Sequence, residues 1–451
     1  MSKKMNLPGE IQVGWFPCRK PFLLPLCFIL LVRNVLGSRL VLILLDGFRW
    51  DYLEQDGHML PGFSSIQQQG VRAEYLVPVY PTLSFPNYYS IMAGVHTENH
   101  GYVTNFLYDE KHGKNLFMDD DDFHQEKHSP HWWEDAEPLW VNAENQGKKT
   151  YFFYWRECDV VISGVKPTYC KPRTIKPGIP EMKFAIDESL HLLQNRSADF
   201  IGIYVEVVDY YGHIHGIGSK ELVEVIKAVD REIHNLKEQM ISLGLDDVNV
   251  MICSDHGMTP IKETLDIEDR IDYEDITALI PEGATVKIWP KDGALDKVYA
   301  ALQASAVSKK MTVYRRDNIP ERYNLRGHYR VSPIFVEADE GVYLTTPCKC
   351  AGCLQCNIKF AELPTFEGTG YMRGMHGYDN TDEDMRGIFL AFGPDFKKNY
   401  TSKPFPSIEL YQLMCHVLGV IPNPNNGTWS NVAPLLLHPG TAAHHSMTDE
   451  L

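Results

Sequence analysis

Positive charge is what this chain most lacks. Its 451 residues hold 59 Asp and Glu against 43 Lys and Arg, a formal charge of −16, which argues against a nucleic-acid backbone as partner. A long apolar run is missing too. The apolar stretch at 22–32 contains Pro25 and is too short to span a bilayer. No internal repeat or low-complexity linker divides the chain, so it reads as one large α/β domain or two ordinary ones. The residues after Leu437 are polar and show no GPI-type signal. The final TDEL only partly resembles an ER-retention tetrapeptide.

The amino terminus reads as a secretory signal. Lys3, Lys4, Arg19 and Lys20 precede the apolar core, and Val35 and Gly37 supply small residues at the −3 and −1 positions of a cleavage site. Residues 1–37 are expected to be removed and the protein to be extracellular or at the cell surface, with ER retention as the alternative. Cysteine usage agrees with export: of 10 cysteines, Cys18 and Cys27 leave with the signal and an even number remains. Cys158 and Cys170 flank a Gly/Pro-containing loop and are expected to pair. Cys253 in an apolar strand and Cys415 on an apolar helix face read as free core thiols. Cys348, Cys350, Cys353 and Cys356 lack the spacer that zinc ribbons place between pairs, so local disulfides are preferred to zinc. Asn195, Asn399 and Asn426 stand in N-x-S/T sequons, expected on glycosylated surface loops.

Three apolar runs end in aspartate. LVLILLDG reaches Asp46, FIGIYVEVVD reaches Asp209, and VNVMICSDHG reaches Asp255 with His256 beside it. Short runs of this kind between helical segments read as parallel strands buried on both faces. Ligands of open α/β sheets bind beyond the carboxyl ends of the strands, so three carboxylates should converge on one sheet edge. Like charges that close call for a strong cation between them, which points to a metal site.

The rest of the chain fits around this frame. A short helix at 60–70 and a strand at 71–79 lead into PTLSFPN at 81–87, a loop stiffened by two prolines. A helix from 87 then leaves Ser84 just ahead of a helix N-terminus, where backbone N–H groups favour a phosphate. Four acids at 119–122 lack EF-hand spacing and read as a solvated loop. Crossover helices are expected at 181–194 and 219–243, the second with Leu222, Val225, Ile226, Val229, Ile233 and Leu236 at helical spacing. Residues 259–375 read as an irregular inserted lobe, 387–394 as a returning strand and 406–418 as a closing helix. The expected architecture is α/β, with a mostly parallel central sheet and helices on both faces. One catalytic domain should occupy 38–437, followed by a polar tail at 438–451.

Histidines complete the constellation. In DYYGHIHG, Asp209 and His213 are four apart and share a face on a helical turn, although the glycines permit a loop. His215 faces elsewhere. Asp255 and His256 can both point inward only from a sharp turn, which Gly257 permits. His376 stands between Gly374 and Gly377, where an imidazole is presented rather than covered. Sorted by chemistry, these six make two zinc sites: Asp209, His213 and His376 in one, Asp46, Asp255 and His256 in the other. A metal in the second set could take the Ser84 oxygen as a further ligand and lower its pKa, so that no histidine base is needed.

In that order, the motifs LLDGFR, P-T-x-[ST]-F-P-N, D-x-x-x-H, SDHGM and MHGYDN resemble the ecto-nucleotide pyrophosphatase/phosphodiesterase family of the alkaline-phosphatase superfamily. The resemblance covers nearly the whole mature chain and implies an alkaline-phosphatase-like fold with two zinc ions per chain. It assigns the same six ligands and adds Asn105 as a donor to a phosphate oxygen. The stretches EPLW, YFFYW, VKPTYC, MRGIFLAFGPDF and PNNGTW are most similar to the choline-specific branch, which also has serine at the position of Ser84. That branch implies hydrolysis of glycerophosphocholine and lysophosphatidylcholine to phosphocholine through a phosphoserine intermediate, in two in-line displacements. A choline headgroup is recognised by aromatic faces and an acid, and the resemblance points to Tyr204 and Glu188. The partner expected is thus a small-molecule or lysolipid substrate carrying phosphocholine, with peripheral membrane contact and a homodimer compatible. A nucleotide pyrophosphatase and an inactive extracellular binding protein are the alternatives.

Overall fold

The computed structural model describes residues 38–54, 60–117, 126–267, 270–306, 310–346 and 372–440. The expected signal, the acidic run at 119–122, Cys348, Cys350, Cys353, Cys356 and the TDEL tail lie outside the described residues.

Eight strands form the central sheet: β1 (Arg39–Leu45), β2 (Val71–Ala73), β3 (Thr150–Phe153), β4 (Tyr169–Lys171), β5 (Phe200–Val205), β6 (Val248–Cys253), β7 (Phe389–Phe392) and β8 (Tyr400–Ser402). Their order is β8-β2-β7-β6-β1-β5-β3-β4. Of these strands only β7 runs against the rest, pairing antiparallel with β6 and β2. The centre, β6-β1-β5, is parallel and buried throughout. The unbroken LVLILL explains it. Leu40, Leu42 and Leu44 enter one apolar cluster, while Val41, Ile43 and Leu45 enter another on the opposite face.

Helices cover both faces. Ile179–Gln194 and Lys220–Ser242 pack on the Val41 side, and Ser84–Ala93 and Glu409–Leu418 on the other. In the longest of these, Leu222, Ile226, Val229, Ile233, Leu236 and Met240 face inward, the stripe read from the sequence with Val225 only partly covered. Each such side chain contributes about 1.5–3 kcal/mol by leaving water. Ser219 caps this helix, its side chain accepting the Leu222 N–H at 3.2 Å.

Three expectations about elements change. The strand ends at Val205, and Asp209 lies in the first turn of the helix Val207–His215. Here the strand's β-branched run gives way to a segment whose Asp209 N–H donates to the Asp46 carbonyl at 3.1 Å. The expected strand at 71–79 is two short pieces. Val71–Ala73 joins the main sheet, and Leu76–Val77 pairs instead with Phe405–Pro406. Finally, the segment read as irregular carries a four-stranded antiparallel sheet: Ile276–Pro281, Thr285–Pro290, Ile334–Ala338 and Met311–Arg315. It has its own apolar cluster, which includes Val286, Ile288, Val313 and Val336.

Cys158 and Cys170 form a disulfide, and Cys253 and Cys415 are free and buried. Asn195, Asn399 and Asn426 are exposed. No helix among the described residues is long and apolar enough to cross a membrane.

Candidate active site and metal centre

Ser84 is the first residue of the helix Ser84–Ala93, not a residue ahead of it. Pro86 is tolerated in the first turn, where its missing N–H would have had no helical partner. The preceding loop is fixed by the buried amide of Asn87. Its Nδ2 donates to the Pro81 and Leu83 carbonyls at 3.1 and 2.9 Å. Its Oδ1 accepts the Val79 N–H at 2.7 Å. With the loop held in this way, Ser84 Oγ lies 3.1 Å from His256 Nε2 and 3.5 Å from Asp46 Oδ1.

The carboxylates arrive from adjacent elements. Asp46 directly follows β1, and Asp255 follows β6 by one residue. Gly47 sits between them at φ +65, its N–H donating to Asp255 Oδ1 at 3.2 Å. A Cβ there would stand 2.8 Å from atoms of Asp209, so a side chain would push that carboxylate out of the cluster.

Each histidine is oriented by a backbone carbonyl. Nδ1–H of His213 donates to Gly374, that of His256 to Gly257 and that of His376 to Thr82, all at 2.8 Å. This choice of tautomer leaves the three Nε2 lone pairs facing the carboxylates, the arrangement of metal-ligating imidazoles. His256 Nε2 is 3.3 Å from Asp46 and 3.4 Å from Asp255. His213 Nε2 is 3.4 Å from Asp209, and His376 Nε2 is 3.5 Å from Asp209 and 3.2 Å from His213. The His256 and His376 rings stack with centroids 3.6 Å apart, so the two sets abut.

The electrostatics fit a cation. Asp209 Oδ1 and Asp255 Oδ2 are buried and take no hydrogen bond among the described residues, a costly state for a carboxylate without a metal. Burial, then Asp255 and Asp209, raises the pKa of Asp46 well above the carboxylate range. Burial also raises Asp255. For Asp209 burial acts upward but is outweighed by His213 and His376, and the group is lowered. Burial and the neighbouring His256 hold His376 well below 6.5. Asp46, Asp255 and His256, and likewise Asp209, His256 and His376, present ligand atoms all within 4.8 Å of one another.

The two residues expected to recognise choline lie in different settings. Glu188 is exposed on the helix Ile179–Gln194, whose buried face is made by Met182, Ala185, Ile186, Ser189, Leu190 and Leu193. The spacing that puts Ser189 inward turns Glu188 to solvent. Tyr204 is fully buried and its hydroxyl donates to Asp46 Oδ2, which makes it a support for a ligand. The acid that follows β5 is Glu206, paired with Arg173 at 2.6 Å and with Arg156 and Lys176 at 3.8 Å. Asn105 Oδ1 accepts the Phe85 N–H at 2.8 Å, one residue from Ser84. His215 stacks on Tyr211 away from the cluster.

Sequence reasoning had no signal for the three carbonyls or for Asn87 as a staple, because these roles depend on backbone placement. A further group, Asp109, His112 and His131, also has converging ligand atoms. Its carboxylate is already engaged by Tyr329 Oη at 2.7 Å, the His112 N–H at 3.0 Å and Arg330 Nε at 3.3 Å, which suits a structural network.

A mostly parallel sheet with a helix-borne hydroxyl against a buried Asp/His group that could hold metal, beyond its strand ends, defines a hydrolase of phosphate esters of the alkaline-phosphatase type. The family model for type I phosphodiesterase / nucleotide pyrophosphatase matches residues 40–379, and the chain belongs to the ecto-nucleotide pyrophosphatase/phosphodiesterase family. It is 30% identical to human family member 5 over 403 residues, covering 88% of this chain and 78% of that one. It is also 30% identical to human family member 7, covering 88% of this chain and 84% of that protein. The solved structure of human family member 5 superposes with a TM-score of 0.78 at 30% identity, covering 89% of this chain and all of that one. A murine family member 5, an inactive threonine-to-alanine variant in complex with AMP, gives 0.77 at 31% identity, covering 88% of this chain and all of that one.

Proposed function

We propose that the protein is an extracellular two-zinc phosphodiesterase. Its substrates would be choline-bearing glycerophosphodiesters and lysophospholipids, cleaved to release phosphocholine. The observation that carries the phosphodiesterase chemistry is Ser84 Oγ, held at a helix N-terminus 3.1 Å from His256 Nε2. Asp209, His213 and His376 would hold one zinc, and Asp46, Asp255 and His256 the other. When bound, the ions would lower the pKa of a hydroxyl or water and neutralise phosphoryl charge.

The residues perform two displacements. Ser84 Oγ gives up its proton and forms a bond to phosphorus as the bond to the alcohol oxygen breaks. The departing alcohol takes up one proton, so the count is conserved, and the phosphocholinyl group stays on Ser84. Water then attacks the same phosphorus from the vacated side and Ser84 leaves with its proton restored. Asn105, whose Oδ1 is committed to Phe85 N–H, turns its Nδ2 donors outward to a phosphoryl oxygen as charge grows there. The N-terminal amides of the Ser84–Ala93 helix favour the same anion.

The choline assignment is supported by aromatic side chains on and against the helix that carries this nucleophile. Phe85, Tyr88 and Trp155 form a connected group, with ring centroids 5.2 and 6.2 Å apart along its contacts. A charge of −16 also suits a cationic headgroup. The second reading, a nucleotide phosphodiesterase, is favoured by the AMP in the murine relative's structure and by Arg156, Arg173 and Lys176 gathered at Glu206. Purified protein assayed side by side on glycerophosphocholine and a nucleotide phosphodiester decides between them. Phosphocholine release at the higher kcat/KM supports the proposal, and preferred nucleotide hydrolysis replaces it with the second reading.

A further inference from the structure

Asn105 belongs to the site, yet the groups that hold its backbone come from the four-stranded lobe. Between Ile276–Pro281 and Thr285–Pro290 the chain turns through Glu282 and Gly283, the latter at φ +70. The Glu282 side chain enters the protein and is buried. Its Oε1 accepts the Asn105 N–H at 3.0 Å and the Phe106 N–H at 3.1 Å. Its Oε2 accepts from the Thr104 hydroxyl and from Lys287 Nζ. Lys287 is itself buried and also donates to Thr285 Oγ1 at 2.6 Å.

One carboxylate thus takes donors from three consecutive residues, 104 to 106, and the middle one is Asn105. From Asn105 the chain of contacts continues through Oδ1 to Phe85 N–H, beside Ser84. Two consecutive N–H groups directed at one oxygen fix the peptide planes on both sides of Asn105, and so fix where its Cβ points. Its amide cannot turn over without losing the Phe85 bond, because a Nδ2 group placed there would face a donor.

We propose that Glu282 is a positioning residue for phosphoryl transfer: it holds Asn105 so that Nδ2 meets the phosphoryl oxygen in the transition state, and the inserted lobe is thereby part of the catalytic apparatus. The inference rests on the phosphodiesterase reading above. It requires the reach of the carboxylate to the two N–H groups, whereas the charge pair with Lys287 serves only to satisfy a buried cation.

Reach and charge can be separated. Glu282→Asp keeps the charge beside Lys287 but withdraws the oxygens by one methylene. The double variant Glu282→Gln/Lys287→Met keeps the reach and an acceptor oxygen while removing both charges together. Positioning predicts that Glu282→Asp lowers kcat about tenfold to a hundredfold with a much smaller change in KM. The double variant should stay within about threefold of wild type. A merely structural ion pair predicts the reverse order, and that order overturns the proposal.

The same substitution in an Asn105→Ala background provides the second test, with melting temperatures recorded for every variant. If Glu282 acts through Asn105, adding Glu282→Asp to Asn105→Ala costs no further activity. Independent, multiplicative losses overturn the proposal even if the double variant with Lys287→Met fails to fold. Wild-type kcat in Asn105→Ala alone would instead remove Asn105 from the mechanism, a failure of the functional reading that this design tells apart.

Discussion

The Tyr204 hydroxyl donates to the Asp46 carboxylate, whose other oxygen stands 3.5 Å from the Ser84 hydroxyl. A residue that the choline resemblance assigned to headgroup recognition is thus hydrogen-bonded to a candidate metal ligand. Tyr204→Phe should lower kcat/KM about tenfold or more, and metal affinity with it, because it removes a hydrogen bond that orients a ligand. The loss should be equal on glycerophosphocholine and on an uncharged aryl phosphodiester. Parallel kinetics on the two substrates check this; a loss confined to the choline substrate would return Tyr204 to the headgroup. Glu188→Gln, on the solvent side of its helix, should leave both activities within about twofold.

Metal dependence follows from the buried, unsatisfied oxygens of Asp209 and Asp255. Purified protein should contain two zinc ions, lose activity with a chelator and regain it on zinc addition. Asp255→Asn should abolish activity and lower the zinc content read by elemental analysis. Full activity in metal-stripped protein would contradict the assignment.

Much of this centre was legible in the sequence because strand ends and histidine spacing are local. Asp46 and Asp255 could be placed from LVLILL and VNVMIC alone, and the four-residue spacing of Asp209 and His213 is that of the helix they occupy. What was not legible depends on distant backbone. The carbonyls of Thr82, Gly257 and Gly374 that orient the imidazoles leave no mark on residue type. The setting of Glu188 was hidden for a related reason: the helix at 181–194 was legible, but its phase, set by the packing of Ser189 and Ala185, is what turns Glu188 outward. The lobe read as irregular because its strands are interrupted by a helix, and pairing such as Val286 with Val336 is a long-range fact.

Acid titration should show outside the metal centre. Asp382 is partly buried, and burial, then Asp379, Glu340 and Glu337, pushes its pKa from 3.8 up to about 7. The native state therefore binds a proton that the unfolded chain has released between these values, so this group's contribution to stability is full below pH 3.8 and lost as pH rises through about 7. Asp382→Asn removes the cost of the charged form. It should raise Tm by about 2–4 °C at pH 8 and leave it nearly unchanged at pH 4. Thermal melts at the two pH values check the sign; an equal shift at both would mean that the carboxyl does not titrate in this window.

The proposed chemistry depends above all on Ser84 as the group that becomes bonded to phosphorus. The decisive measurement is the kcat of purified Ser84→Ala with its zinc content determined on the same sample. The side chain is small and lies in the first helical turn, only partly covered, so the fold and the six ligands should remain. A nucleophilic Ser84 requires that the variant be folded, carry two zinc ions and show no turnover. A variant retaining a tenth or more of the wild-type rate would show that water attacks phosphorus directly, and the covalent mechanism would be wrong.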